Sequence, residues 1–307
     1  MTERDAKQVP RILCAGGAVQ DIIMRVDKFP DAGMKVQASE FMMTSGGQAG
    51  NAAVAIARLG GHVSFAGPLG DLDDEFAHRI VESFKREKID CAGAERVPGA
   101  TSSVSLILVD AAGEKMIATR RDKGLTDIAP RDAEKVVAEV DAVLLDNRYP
   151  NYVIPICQAA AARGIPRVLD LDQAAAPDDP LLQACSHVIA SAEALRGNAG
   201  AKDMRQALRN LGTSFKGFLA FTDGPDGVYW LDGDAVRHMP GFKVDAVDTL
   251  GAGDVFHGAF TFRFVETRDL VASMRFASAA AAIKCTRFGG LMGAATRAEV
   301  DEFLKKN

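Results

Sequence analysis

The sequence predicts an α/β fold of three layers, with a mostly parallel central sheet and a small β-sheet lid. Three observations carry this expectation. Short apolar runs alternate with helical patterns along most of the chain, as parallel strands joined by crossover helices do. One strand–turn–strand stretch interrupts that alternation. The length of 307 residues, with 48% hydrophobic and 25% charged residues, suits one large α/β unit with a sizeable core.

The elements follow in order. "RILCAGG" and "VQDIIMRV" read as strands, and "GGQAGNAAVAIARLGG" as a helix closed by Gly60 and Gly61, which suit a left-handed cap. "HVSFAG" is a strand, and "DDEFAHRIVESFKREK" a helix with acids in its first turn. "DAVLLD", "RVLDLD", "HVIAS" and "GFLAFTDG" are further strands bounded by turn residues. The last two helices are expected at about 254–265 and 270–285, one following the other. "TSSVSLILVDAAGEKMIATRR" reads as strand, turn, strand, with its turn at 110–113, and "MKVQASEFMMTS" alternates like a strand. Neither fits the helix-interrupted sheet. Both are assigned to a small antiparallel lid, as segments of about 34–45 and 100–122 inserted in one domain of 10–307.

The formal net charge is −5 with no long basic run, so neither nucleic acid nor an anionic membrane is expected as a partner. The five cysteines are scattered and form no C-x-x-C pair, which argues against a zinc site or a disulfide framework. "MTERDAKQVP" has no apolar signal core, and no run reaches the length of a membrane span. A cytoplasmic location is expected.

The stretch "DTLGAGDVFHGAF" concentrates chemistry. Gly251, Ala252 and Gly253 can turn successive N–H groups toward one point, and the helix starting near Asp254 adds its unpaired N–H groups and dipole. Such a cup stabilises an anion whose charge grows during reaction. Asp254 can accept a proton from a hydroxyl that attacks phosphorus beside the cup. An isolated G-x-G-D would be a helix-start acid and nothing more. Here a small residue separates the glycines, and Asp248 stands six positions earlier, able to hold a cation, fix the loop or cap the turn.

That stretch resembles the C-terminal signature of the ribokinase-like (phosphofructokinase-B-type) sugar kinases, and "SGGQAGNAAVAIARLG" resembles their N-terminal signature. The two lie in the family's order, about 200 residues apart, and long paired motifs are far more specific than one short match. The resemblance implies Asp254 as catalytic base, residues 251–253 as the anion hole, and ATP and Mg2+ as cosubstrates. It also implies a monovalent cation, K+ among the options, near Asp248 and residues 285–290; whether it is needed stays open. Asp21 matches a strand aspartate that accepts hydrogen bonds from sugar hydroxyls. Gly47 and Asn51, four apart, share one helix face, where glycine allows close approach and asparagine both donates and accepts. Thr222, Gly224 and Gly227 would lie by ATP, with Gly289 in "CTRFGG" on the adenine side. Glu193 fits the acidic position of an N-x-x-E segment that orders Mg2+ waters, but Ala190 stands in place of its asparagine. His257 reads as a packed helix residue. No P-loop sequence occurs.

The acceptor is read as a ketose in ring form, with an anionic group as an option. Lys35 and Arg148 resemble the cations of the sulfofructose kinase branch, while each also reads as a solvated surface cation. Thr119 or Arg120 stands where that branch has a neutral amide, and both signatures are also similar to ketohexokinases. The alternatives are a nucleoside or sugar-acid kinase of the same fold, or a non-catalytic sugar or nucleotide sensor. By family analogy the lid would pair two copies into a homodimer.

Overall fold

Runs such as Val143–Leu145 are apolar without alternation because both faces of their sheet are covered. The computed structural model describes residues 9–199 and 203–307. The chain begins with β1 (Arg11–Ala15), β2 (Val19–Arg25), β3 (Glu40–Gly46) and α1 (Gln48–Arg58), followed by β4 (His62–Leu69), α2 (Glu75–Arg86) and β5 (Asp90–Arg96). A hairpin, β6 (Ser103–Val109) and β7 (Lys115–Arg120), precedes α3 (Ala133–Val136), β8 (Ala142–Asp146), α4 (Pro150–Ala162), β9 (Arg167–Leu171), α5 (Pro180–Ala184) and β10 (His187–Ser191). Then come α6 (Ala192–Ala199), α7 (Met204–Gly212), β11 (Phe218–Thr222), β12 (Val228–Asp232), β13 (Ala235–Met239), α8 (Ala252–Thr267), α9 (Leu270–Cys285) and α10 (Arg297–Lys306).

Among the described residues nine strands form the central sheet in the order β13-β12-β11-β10-β9-β8-β1-β4-β5. It is parallel except at β12 and β13. Strand alternation divides the core between its faces. Ile12 and Cys14 pack with α1, α8 and α9, whereas Leu13 and Ala15 face the layer of α4 and α7. Gly60 closes the turn after α1 with φ at 96°, which an L side chain adopts only with strain.

Four strands form the second sheet, in the order β3-β2-β6-β7. The sequence reading needs three corrections here. First, β2 belongs to the lid and is its inner strand. Second, the lid is mixed, because β2 runs antiparallel to β3 but parallel to β6. Third, the strand expected across 34–45 starts only at Glu40. The ladder ends at the Arg25–Glu40 pair, so residues 34–39 have no strand to pair with and form a loop. After the two expected C-terminal helices comes α10, which the sequence reading did not anticipate. A capping box between Thr296 and Glu299 starts it.

Candidate active site

Open α/β sheets bind ligands where the strand order reverses, outside the carboxyl ends of the strands. Here β1 lies between β4 and β8, so the reversal falls at the ends of β1 and β8. Asp146, at the end of β8, is 1% exposed and organises this point. Its carboxylate accepts from the N–H groups of Gly17 (2.7 Å), Ala49 (3.2 Å) and Arg148 (2.9 Å). It fills the space over Gly16, where a Cβ would sit 2.2 Å from Asp146 Oδ2. Gly47, with φ at 84°, presses against the same loop, and a Cβ there would meet Gly17 O at 2.5 Å. Sequence reasoning missed Asp146; its one signal is a carboxylate closing an unbroken apolar strand.

Over this point lies a cavity of about 190 Å³, walled by the central sheet and the lid. That is below the roughly 300–1,000 Å³ of sites for drug-sized ligands and suits a single sugar ring. Asp21, Gly47, Asn51, Arg148, Gly251 and Asp254, all singled out from sequence, line it together. Asn51 Nδ2 donates to Asp254 Oδ2 at 2.6 Å, joining the two signature motifs across 203 residues. Asn51 Oδ1 is buried and has no partner among the described residues, which leaves an acceptor unused on a residue that lines the site. Burial raises the Asp254 carboxyl to about 6, partly offset by the Asn51 hydrogen bond and reinforced by Asp172. Asp21 is pushed up to about 7 by burial and by the charge of Asp254, against the Ser105 hydroxyl. Perturbed carboxyls of this kind, gathered in a cleft, mark functional sites more often than structural ones.

Gly251 enters α8 in the left-handed region, with φ at 76°. The N–H of Ala252 turns back to Thr249 O at 3.2 Å. Those of Gly251, Gly253 and Asp254 have no partner among the described residues, so they are the donors left for an anion. His257 is a packed helix residue: its ring nitrogens lie 2.7 Å from Gly253 O and 3.1 Å from Ile189 O. That ties the first turn of α8 to β10.

Other expectations fare differently. Lys35 is exposed in the 34–39 loop and does not line the cavity. Arg121, just past β7, does, and sequence reasoning had passed over it. Arg120 turns away to Thr101 and Asp122, while Thr119 stays in the cavity wall with its hydroxyl 2.9 Å from that of Ser105. Thr222 ends β11; Gly224 and Gly227 shape the next turn with φ at 51° and 97°. A Cβ on Gly227 would meet Met239 O at 2.2 Å, so that glycine is required by the chain itself. Gly289 donates its N–H to Asp248 Oδ2 (3.0 Å), and a Cβ there would meet the Met42 side chain of the lid at 2.8 Å. Ala190 is fully buried within β10.

The expected cation at Asp248 does not fit. Asp248 Oδ2 accepts from Gly289 N and Gly290 N, and Oδ1 from Leu250 N. The Lys284 ammonium lies 3.2 Å from Oδ2 and 2.7 Å from the Asp248 carbonyl oxygen. A side-chain cation already fills the place. Mg2+ is a different case. It takes one or two protein carboxylates and otherwise travels with phosphate and water. Glu193 is exposed in the first turn of α6 and makes no hydrogen bond or ion pair with a described residue, which fits that need.

Residues 9–296 match the family model described as pfkB family carbohydrate kinase. The chain is 29% identical over 300 residues to the ribokinase of Bacillus subtilis, covering 96% of this chain and 99% of that one. It is also 29% identical to an ATP-dependent ribose-1-phosphate kinase of Halopiger xanaduensis, covering 96% and 98%. A crystal structure from Agrobacterium tumefaciens, provisionally named a ribokinase, superposes with a TM-score of 0.92 at 36% identity, covering 97% and 98%. The hydrogen bond between Asn51 and Asp254 joins two signatures that this match spans end to end, and the chain belongs to the pfkB family of carbohydrate kinases.

Proposed function

We propose that this carbohydrate kinase transfers the γ-phosphoryl group of ATP to a hydroxyl of a small ring-form sugar that also carries an anionic group. One observation carries the chemistry: Asp254 sits in the cavity held by Asn51, at the helix start that leaves the N–H groups of Gly251, Gly253 and Asp254 unpaired among the described residues. Asp21 and the free Asn51 Oδ1 are placed to accept from sugar hydroxyls, which fixes the ring. Asp254 takes the proton of the reacting hydroxyl as its oxygen bonds to phosphorus and the bond to ADP breaks. The Gly251 and Gly253 N–H groups hold the charge on the transferred group. Glu193 would hold Mg2+, which bound with the nucleotide would spread the phosphate charge.

The anionic group is supported by Arg121. It lines the cavity and makes no hydrogen bond or ion pair with a described residue. Arg121 is exposed overall, but partial desolvation at the cavity rim and the like charge of Arg148 pull its pKa down, and an anion between the two cations would be attracted to both. A ketose such as sulfofructose and a phosphorylated furanose both meet these demands.

The test is an ADP-release screen across neutral ketoses and aldoses, sugar acids, phosphosugars, sulfosugars and nucleosides. Saturable turnover should be confined to sugars and favour anionic ones. No turnover with any sugar, or a nucleoside as best acceptor, rejects the reading.

Two further results are expected. With its best acceptor, kcat/KM should begin to fall near pH 7, where Asp21 takes up a proton, and decline at least tenfold per pH step below about 6, where Asp254 does. A flat profile from pH 5 to 8 would remove Asp254 as the base. The outer face of the lid exposes Phe41 (61%), Leu106 (46%) and Met116 (50%), an apolar surface suited to a second copy. Light scattering should give twice the 32.6 kDa chain mass; a monomer at all concentrations refutes the pairing.

A further inference from the structure

Lys284 is a buried cation that the mechanism above does not use. It is the last residue but one of an alanine-rich helix, α9, and is 0% exposed. A lysine so placed is costly unless its charge is paired and its protons are accepted. Its Nζ donates to the Asp248 carbonyl oxygen at 2.7 Å and lies 3.2 Å from the Asp248 carboxylate.

This pair ties together the segments on which the anion-binding turn depends. Val247 and Asp248 donate their N–H groups to Cys285 O, at 2.7 and 3.1 Å. The carboxylate receives Leu250 N at 2.8 Å, the residue before Gly251, and the N–H groups of Gly289 and Gly290. The lid reaches the same place twice. Gly113 at the β6–β7 turn stands over Val247 O, and Gly289 stands against Met42 of β3.

We infer that Lys284 is a built-in monovalent cation: its ammonium fixes the 247–251 turn, and so the Gly251 and Gly253 donors, in the place where a free K+ would otherwise be needed. Lys284 is a positioning residue, since its charge is spent on Asp248 and not on the phosphoryl group. The enzyme should therefore work without any monovalent cation in solution. The turnover arm of the test rests on the kinase reading; the stability arm does not.

Wild-type protein is compared in KCl, NaCl and choline chloride at equal ionic strength, following both ADP release and the thermal midpoint. Both should be the same in all three. The Lys284→Ala variant leaves an oxygen-lined hole. In choline its kcat should fall about 100-fold, as misplaced donors predict, with little change in the KM for ATP. KCl or ammonium chloride should restore much of that loss and raise the variant's midpoint. Lys284→Met fills the hole without charge, and should lose activity without cation rescue. Stimulation or stabilisation of the wild type by K+ over choline overturns the inference, as does full activity of Lys284→Ala in choline. If Lys284→Ala does not fold, the wild-type comparison decides. If no acceptor is turned over, the midpoints decide, and the failure belongs to the kinase reading alone.

Discussion

Asp254→Asn should cut turnover by about a thousandfold while making the protein more stable at neutral pH. The amide keeps the size of the carboxyl and can still meet Asn51 across the 2.6 Å contact by presenting its oxygen. It cannot accept the proton of the acceptor hydroxyl. General-base assistance contributes roughly 10²–10⁴ in rate, so kcat should fall by about a thousandfold with ATP affinity retained. The stability effect has the opposite sign. Burial raises the Asp254 carboxyl from 3.8 to about 6, so the folded state binds its proton more tightly than the unfolded chain does. Folding stability then rises as pH falls through that window, and the full cost of the buried charge is present above it. Removing the charge should raise the thermal midpoint at pH 8 by a few degrees and change it little at pH 4. Asp21→Asn should show the same trend, since its carboxyl is raised to about 7. A variant that phosphorylates at the wild-type rate removes Asp254 from the chemistry. Inactivity together with a lowered midpoint would mean damage to the fold instead.

The sequence was most legible where function depends on local backbone geometry. Gly251 and Gly47 both have positive φ, and each stands beside a polar residue one helical turn away, so short stretches announced them. The central strands were legible for a similar reason, since burial on both faces leaves unbroken apolar runs. What sequence could not supply was partners set by long-range register. Lys35 and Arg121 are both basic residues near lid strands, and only the pairing of β6 with β7 delivers Arg121 to the cavity wall. The edge of the β2–β3 ladder leaves Lys35 outside. Asp248 was read as able to hold a cation, fix the loop or cap the turn; it fixes the loop, and the cation beside it is a lysine 36 residues on. A sign of this was available: a lone lysine in "ASAAAAIKC" is an odd choice for a helix otherwise built for close packing. Reading it would have required knowing that α9 ends against the turn after Val247.

Arg121 gives the sharpest test of what the acceptor is. A hydrogen bond to a charged group is worth about 1.5–3 kcal/mol net, so Arg121→Gln should lower kcat/KM for an anionic sugar by roughly 10- to 100-fold. Most of the loss should appear in KM, because the anion is held alike before and during transfer. A neutral sugar of the same ring should lose little. Arg121→Lys separates charge from shape: it keeps the positive charge but cannot make a paired contact to two oxygens, and should fall between the wild type and the glutamine variant. Arg148 is the poorer probe, because it already donates to Gln48 at 2.7 Å and pairs with Asp172, so its removal would also free an aspartate near Asp254. Arg121 has no such duties, so its loss should not lower the midpoint. Equal losses on neutral and anionic sugars would show that it shapes the cavity and does not read charge. The acceptor would then be a neutral sugar, and the transfer chemistry at Asp254 would stand unaltered.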